Sequence, residues 1–322
     1  MSSNPAPTPA PTPKRYYASI SGKPSDPLPD GFVVVIRKLE TALKAPLWLL
    51  IQNGEMSSMD SAVYVGFRDA RLEIEENRPV ALLVESPGGQ AEFAYKIARL
   101  FQRRASAFTV VVPQWAKSAA TLLTLGGSRI VMGRDAELGP LDVQIFDPDK
   151  EEYDSALNAV QSLERLNAFA LTAMDQVMQL LLLRTRKKSD VLLPMVFDHT
   201  TKFLRPLLEK IDTIELTRKS RDLKVAEQYA VRLMKNAGYS WSEAGRIARA
   251  LVERFPTHGF VIDRQEAEAK EVMSTPGATE MHGLGLKLSP ADPDMDKIID
   301  ELIPYMDSLN AIGTLKEVIP TP

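Results

Sequence analysis

The sequence predicts an α/β fold on a mainly parallel sheet with a helical C-terminal extension, and three observations carry that expectation. Four short apolar runs, Leu47 to Gln52, Ala81 to Val84, Phe108 to Val112 and Arg129 to Met132, are rich in Val, Ile and Leu and bounded by polar or turn residues. That is the pattern of strands buried on both faces. Helical patterns lie between them, the clearest placing Ala94, Ile97, Ala98 and Phe101 on one face just after a glycine pair. From Asp154 onward the pattern turns helical, with Leu163, Leu166, Ala170, Ala173, Val177 and Leu180 spaced alternately by three and four residues. Strand and helix in alternation give stacked βα units, whose ligands bind beyond the C-terminal strand ends.

Taken in chain order, the Pro-rich residues 1–30 are expected to form a disordered or extended tail, because proline disfavours helix interiors and central strands. Residues 31–150 are expected to form the α/β core. Residues 151–292 supply a helical part that completes the fold and the site, and the seam within it faces either the core or a second subunit. Ser240-Trp-Ser-Glu243 is a capping box opening a helix that stops at Phe255-Pro256, and Asp263-Arg-Gln-Glu266 resembles another. Between those helices Thr257-His258-Gly259 displays a histidine on a tight turn. Residues 293–322 read as a helix around Asp294 to Leu309 followed by a tail.

Composition narrows the function classes. The 322 residues are 44% hydrophobic and 25% charged, as in an ordinary globular protein. A net charge of −3 argues against a nucleic-acid binder, which needs a basic face for phosphates. The absence of cysteine excludes disulfides, thiolate catalysis and Cys-ligated zinc, and no metal or cofactor is expected. The start lacks the apolar core of a signal peptide. The longest apolar stretch, Val177 to Leu183, falls short of the ~20 residues a membrane helix requires. The expectation is a cytoplasmic chain with no transmembrane segment.

Between Leu82 and Asp142 lie three pieces that an acyl-transfer site needs. Gly88 and Gly89 end an apolar run, and glycines without Cβ let backbone N–H groups approach a substrate carbonyl oxygen. Ser118 stands between an apolar run and Ala119-Ala120-Thr121-Leu122-Leu123, on a strand-to-helix turn that would expose its hydroxyl. Its competing role is that of a helix cap. A serine hydroxyl needs a proton acceptor. Of three histidines, His199 and His282 read as surface residues and His258 is the best base. Lys117 is the alternative base, with Lys187, Lys188 and Lys202 remoter. Asp142 and Asp263 compete to orient the imidazole, and Asp263 already has a role as a helix cap.

Glu85-Ser-Pro-Gly-Gly89, Ala116-Lys-Ser-Ala-Ala-Thr-Leu-Leu123, Met132-Gly133, Glu137-Leu-Gly-Pro-Leu-Asp142 and Thr257-His-Gly-Phe260 together resemble the serine dehydrogenase proteinase family. Its relatives include the Clp proteolytic subunit and the signal-peptide peptidases. The similarity runs from about Leu47 to Leu288. It implies a Clp/crotonase-type fold of stacked ββα units and a serine peptidase acting on polypeptides. It also implies a triad of Ser118, Asp142 and His258, and an oxyanion hole from the Gly88-Gly89 loop with the N–H of Ala119 as second donor. Ala120 stands where many relatives carry Gly, and a Pro-rich tail stands where members often carry membrane-spanning helices, so membrane attachment does not carry over. Two rivals keep the fold: a crotonase-type acyl-CoA enzyme using Glu85 or Glu137, and a non-catalytic oligomeric scaffold. A homo-oligomer is expected.

Overall fold

The computed structural model describes residues 15–53, 57–141, 144–147, 152–269 and 283–318. The chain opens with a hairpin, β1 (Arg15–Ile20) and β2 (Lys23–Leu28), then α1 (Asp30–Leu43), β3 (Leu47–Ile51) and α2 (Ser61–Asp69). Next come β4 (Pro79–Glu85), α3 (Ala91–Arg104), β5 (Ala107–Val112), β6 (Trp115–Ala116), α4 (Ala119–Thr124), β7 (Arg129–Met132) and β8 (Glu137–Leu138). A short ribbon, β9 (Gln144–Asp147) with β10 (Glu152–Ser155), leads into four helices: α5 (Ala156–Thr185), α6 (Ser189–Leu208), α7 (Thr213–Asn236) and α8 (Trp241–Glu253). The last elements are β11 (Ile262–Asp263), α9 (Arg264–Glu268), α10 (Pro293–Asp300), α11 (Ile303–Met306) and β12 (Ala311–Val318).

The main sheet has the order β2-β1-β12-β3-β4-β5-β7. The strands expected from continuous apolar runs, β3, β4, β5 and β7, pair in parallel, and every residue of β3 is buried. The other half is antiparallel, so the sheet is mixed and not mainly parallel as expected. One face packs against α1 and α10 through Phe32, Ile36, Leu39 and Ile299. The other packs against α3, α4, α7 and α8 through Phe101, Leu122, Leu233 and Leu251. Phe101 stacks on Phe108 at 4.9 Å and meets Trp48 edge-on at 5.7 Å, fixing α3 on the sheet. Each such buried ring is worth ~1.5–3 kcal/mol in removed apolar surface alone.

The described parts of two segments expected as tails hold strands. Within residues 1–30 the described part forms β1 and β2, with Pro27 on the edge strand, where a missing N–H costs no ladder bond. Beyond Leu309, β12 lies inside the sheet between β1 and β3. Gly313 permits this: its φ is +113°, and a Cβ there would come within 2.0 Å of Ser19 O.

α5, α6 and α7 form a helical arm, with Phe169 and Phe203 in contact at 6.0 Å. The 30 residues of α5 span about 45 Å, and of them Ala156 and Leu157 are the buried ones. The expected seam is not deep core, since Leu163 and Leu180 are exposed and Leu166, Ala170, Ala173 and Val177 are half-buried. By length and mean hydropathy, 1.3 over its most apolar window, α5 is long and apolar enough to cross a membrane. The run Val177 to Leu183 understates it, because further apolar residues precede that run among interspersed polar ones.

Candidate active site

A second, smaller sheet, β11-β8-β6, caps the C-terminal ends of the main strands. β6 and β8 run parallel, Trp115 beside Glu137 and Ala116 beside Leu138, and β11 returns antiparallel, Ile262 beside Leu138. A bridge between Ser86 and Ala116 ties this sheet to the loop that follows β4. Two neighbouring strand ends thereby bring Gly88-Gly89 and Ser118 together.

The glycine loop is held from both sides. The Ser86 hydroxyl donates to Gln52 Oε1 at 2.8 Å and accepts the N–H of Gly88 at 3.1 Å. Met59 N–H donates to Gly88 O, and Gln90 N–H to Met59 O. Gly88 has φ +103°, and a Cβ on it would lie 2.6 Å from Lys117 O, 2.9 Å from Ala119 N and 3.0 Å from Ser118 Cβ. A glycine is therefore required twice over, by conformation and by space. With the N–H of Gly88 bonded to Ser86, those of Gly89 and Ala119 are without a hydrogen-bond partner among the described residues.

Ser118 precedes α4 with φ +50° and ψ −119°, a conformation rare for a residue with a Cβ. Such backbone costs of order 1–3 kcal/mol and persists only where the surroundings over-determine it. Here they do. Lys117 N–H donates to Ser86 O at 3.0 Å and Ala120 N–H to Lys117 O at 2.8 Å. The Thr121 hydroxyl donates to Ala116 O at 2.7 Å and accepts Gly139 N–H at 3.1 Å. Ser118 makes no side-chain cap bond, so the helix-cap role is not what it performs. It is half-buried, and its hydroxyl has no hydrogen-bond partner among the described residues, His258 included.

The candidate bases and acids separate as follows. The Lys117 amine forms an ion pair with Glu137 at 2.6 Å and donates to Leu138 O at 3.3 Å. His258 sits half-buried in the turn closed by Phe260 N–H to Thr257 O, just before β11. The β11–β8 pairing delivers this turn to the same end of the small sheet as the stretch after Leu138. Asp142 and His282 lie outside the described residues. Asp263 is the cap of α9, accepting Glu266 N–H at 2.7 Å. His199 lies exposed within α6, and Lys187, Lys188 and Lys202 are exposed on the arm, Lys202 paired with Asp198.

Of the two carboxylates offered for an acyl-CoA enzyme, Glu85, the last residue of β4, is fully buried, and Glu137 is paired with Lys117. Burial pushes the Glu85 carboxyl up to about 8, against the pull of the backbone N–H groups of Gln114 and Trp115. As an expectation from sequence Glu85 is an acyl-CoA acid only; a lone Glu closing an apolar strand run is the signal of a buried carboxyl. Among the described residues no group of three or more His, Asp or Glu could hold a metal ion. Concavities of about 590 Å³ along α8 and about 950 Å³ against α1 include neither Ser118 nor Gly88.

The glycine loop lies against the Ser118 turn, and comparison with known families meets this part of the chain. Residues 62–173 match the family of ClpP-like SDH-type serine proteinases. That segment takes in Gly88, Gly89, Lys117, Ser118 and the β8 strand, and stops within α5, so His258 lies beyond it. The serine-proteinase resemblance and the α/β fold stand on this match together with the mixed sheet. Two uncharacterized proteins of Methanocaldococcus jannaschii are each 34% identical to this chain over 70 residues. The matched stretch is 22% of this chain and 24% of each relative, so the chain spans about a quarter of their length.

Proposed function

We propose that the chain is a serine peptidase that cleaves polypeptides through an acyl-enzyme on Ser118. The observation that carries this reading is the strained Ser118 backbone with Gly88 pressed against Ala119 N. Ser118 Oγ attacks the scissile carbonyl carbon, and its proton passes to the His258 imidazole, which Asp142 orients. The oxyanion is stabilised by N–H groups of the Gly88-Gly89 loop, that of Gly89 being the open one, and by Ala119 N–H at the start of α4. The imidazolium returns its proton to the leaving amine, and water then hydrolyses the ester by the same route. The half-buried hydroxyl without a partner among the described residues supports this reading, because catalytic hydrogen bonds commonly tighten only when substrate binds.

Self-association belongs to the same proposal, since the arm presents Phe169, Leu171, Leu183 and Phe203 at half or more exposure. The deciding experiment is incubation with a fluorophosphonate followed by peptide mass spectrometry. An adduct on Ser118 is expected; a chain that cleaves peptides without any Ser118 adduct would remove that serine from the mechanism.

A further inference from the structure

Glu85 joins the two halves of the site without belonging to either. Its carbonyl accepts Gln52 N–H at 2.8 Å, and the next residues are the Ser86-Pro87-Gly88-Gly89 loop. Its Oε2 accepts the N–H groups of Gln114 at 3.2 Å and Trp115 at 3.3 Å, at the start of β6, which ends two residues before Ser118. Gln114 O in turn accepts Glu137 N–H at 2.7 Å, and Glu137 holds Lys117. One carboxyl thus stands between the oxyanion loop and the nucleophile turn. Its Oε1 is buried without any donor among the described residues, as is Gln114 Oε1.

An ionised carboxylate is poorly served by such a place. Burying charge without full hydrogen bonding is costly, whereas the neutral acid carries a hydrogen of its own on the open oxygen. The charged groups around it add to that cost. Glu137 on β8 and Asp307 after α11 both disfavour a second negative charge, and Lys117 is already taken by Glu137. Arg134, Asp135 and Asp300 line the adjoining cavity of about 250 Å³ with Gln114 and Trp115, and Arg134 is paired with Asp300.

We propose that Glu85 is a positioning residue that works as the neutral acid, holding the Gly88 loop and the Ser118 turn in register and loosening them when it ionises. The inference rests on the peptidase reading for its effect on activity, though not for the ionisation itself. With the carboxyl pushed up to about 8, the change falls on the alkaline side of neutrality. The charged form would repel Glu137 across Gln114 and disturb the Lys117 ion pair beside the nucleophile.

The test is the pH dependence of kcat/KM on a peptide for wild type, Glu85→Gln and Glu85→Ala, with carboxyl 13C NMR of wild type assigned through Glu85→Gln. Wild type should show an alkaline limb with its midpoint near 8, and the Glu85 carboxyl should titrate there. Glu85→Ala should lose at least about tenfold at neutral pH, and Glu85→Gln, which keeps the neutral shape, should recover most of that rate and lack the limb. A limb that survives unchanged in Glu85→Gln, or a Glu85 carboxyl that titrates below about pH 6, overturns the proposal. A wild type that no fluorophosphonate labels at any pH sinks the peptidase reading instead. The NMR titration then decides the Glu85 ionisation alone.

Discussion

Gly88 faces the N–H of Ala119 across the candidate site: a Cβ on Gly88 would stand 2.9 Å from Ala119 N and 3.0 Å from Ser118 Cβ. The space beside the helix N-terminus therefore exists only because residue 88 has no side chain. Gly88→Ala should close it and also strain a φ of +103°. Loss of an oxyanion donor costs about 10²–10³ in kcat, so activity should fall at least that far. Fluorophosphonate labelling should fall with it, while circular dichroism still reports a folded chain. Full activity in Gly88→Ala would place the oxyanion elsewhere.

The strain at Ser118 makes a prediction that separates backbone from chemistry. Ser118→Ala and Ser118→Gly should both be inactive, since each lacks the hydroxyl. Only glycine relieves a φ of +50° with ψ −119°, so Ser118→Gly should be the more stable of the two by roughly 1 kcal/mol. Urea denaturation of the pair is the measurement. A Ser118→Gly midpoint well below that of Ser118→Ala would mean that the turn carries no strain, since only glycine's unfolded-state entropy would then separate them.

The parallel strands β3, β4, β5 and β7 were legible in the sequence because strands buried on both faces are continuous apolar runs. The Ser240 capping box was legible because its hydrogen bonds are local. What failed to show depends on distant partners. β1 and β12 hold each other in the sheet, and neither has an apolar run long enough to announce a strand. The two-residue strands β6, β8 and β11 exist through pairing alone, yet they set the site. Motif spacing placed Gly88 and Ser118 together, but the positive φ of Ser118 and the spending of Gly88 N–H on Ser86 are tertiary facts.

The two candidate bases should behave oppositely. Lys117 is bound to Glu137, so Lys117→Ala should disturb the turn and slow turnover by about tenfold or less. His258→Ala should lose activity nearly as completely as Ser118→Ala, because members of a triad act as a unit. Rates of acylation measured by stopped flow compare them directly. An inactive Lys117→Ala beside a near-normal His258→Ala would replace the triad with a Ser-Lys dyad.

Stability should carry the signature of Glu85. Its carboxyl is raised from 4.5 when unfolded to about 8 when folded, so between those values the folded state holds a proton that the unfolded state has released. That proton's contribution is fully present below about 4.5, declines as pH rises, and is gone above about 8. In Glu85→Gln this decline should disappear from a plot of unfolding free energy against pH, leaving a flatter curve than wild type. Parallel curves for the two proteins would show that Glu85 is ionised in the fold.

The arm makes the last prediction. Leu171 is 57% exposed on α5 and Leu183 81% exposed, and neither supports the monomer's core. Exchanging both for Asp should therefore change the chain's own stability by no more than about 0.5 kcal/mol per site if water is their only neighbour. If a second copy covers them, two buried carboxylates would each lack a partner, and a standard interface of about 1,600 Å² could not absorb that cost. Wild type should then sediment as an oligomer at micromolar concentration and the double variant as a monomer with an unchanged circular dichroism spectrum. Activity that follows assembly would place part of the substrate cleft between copies. A wild type that sediments as a fully active monomer would show that the arm serves some other contact and that the site is complete within one chain.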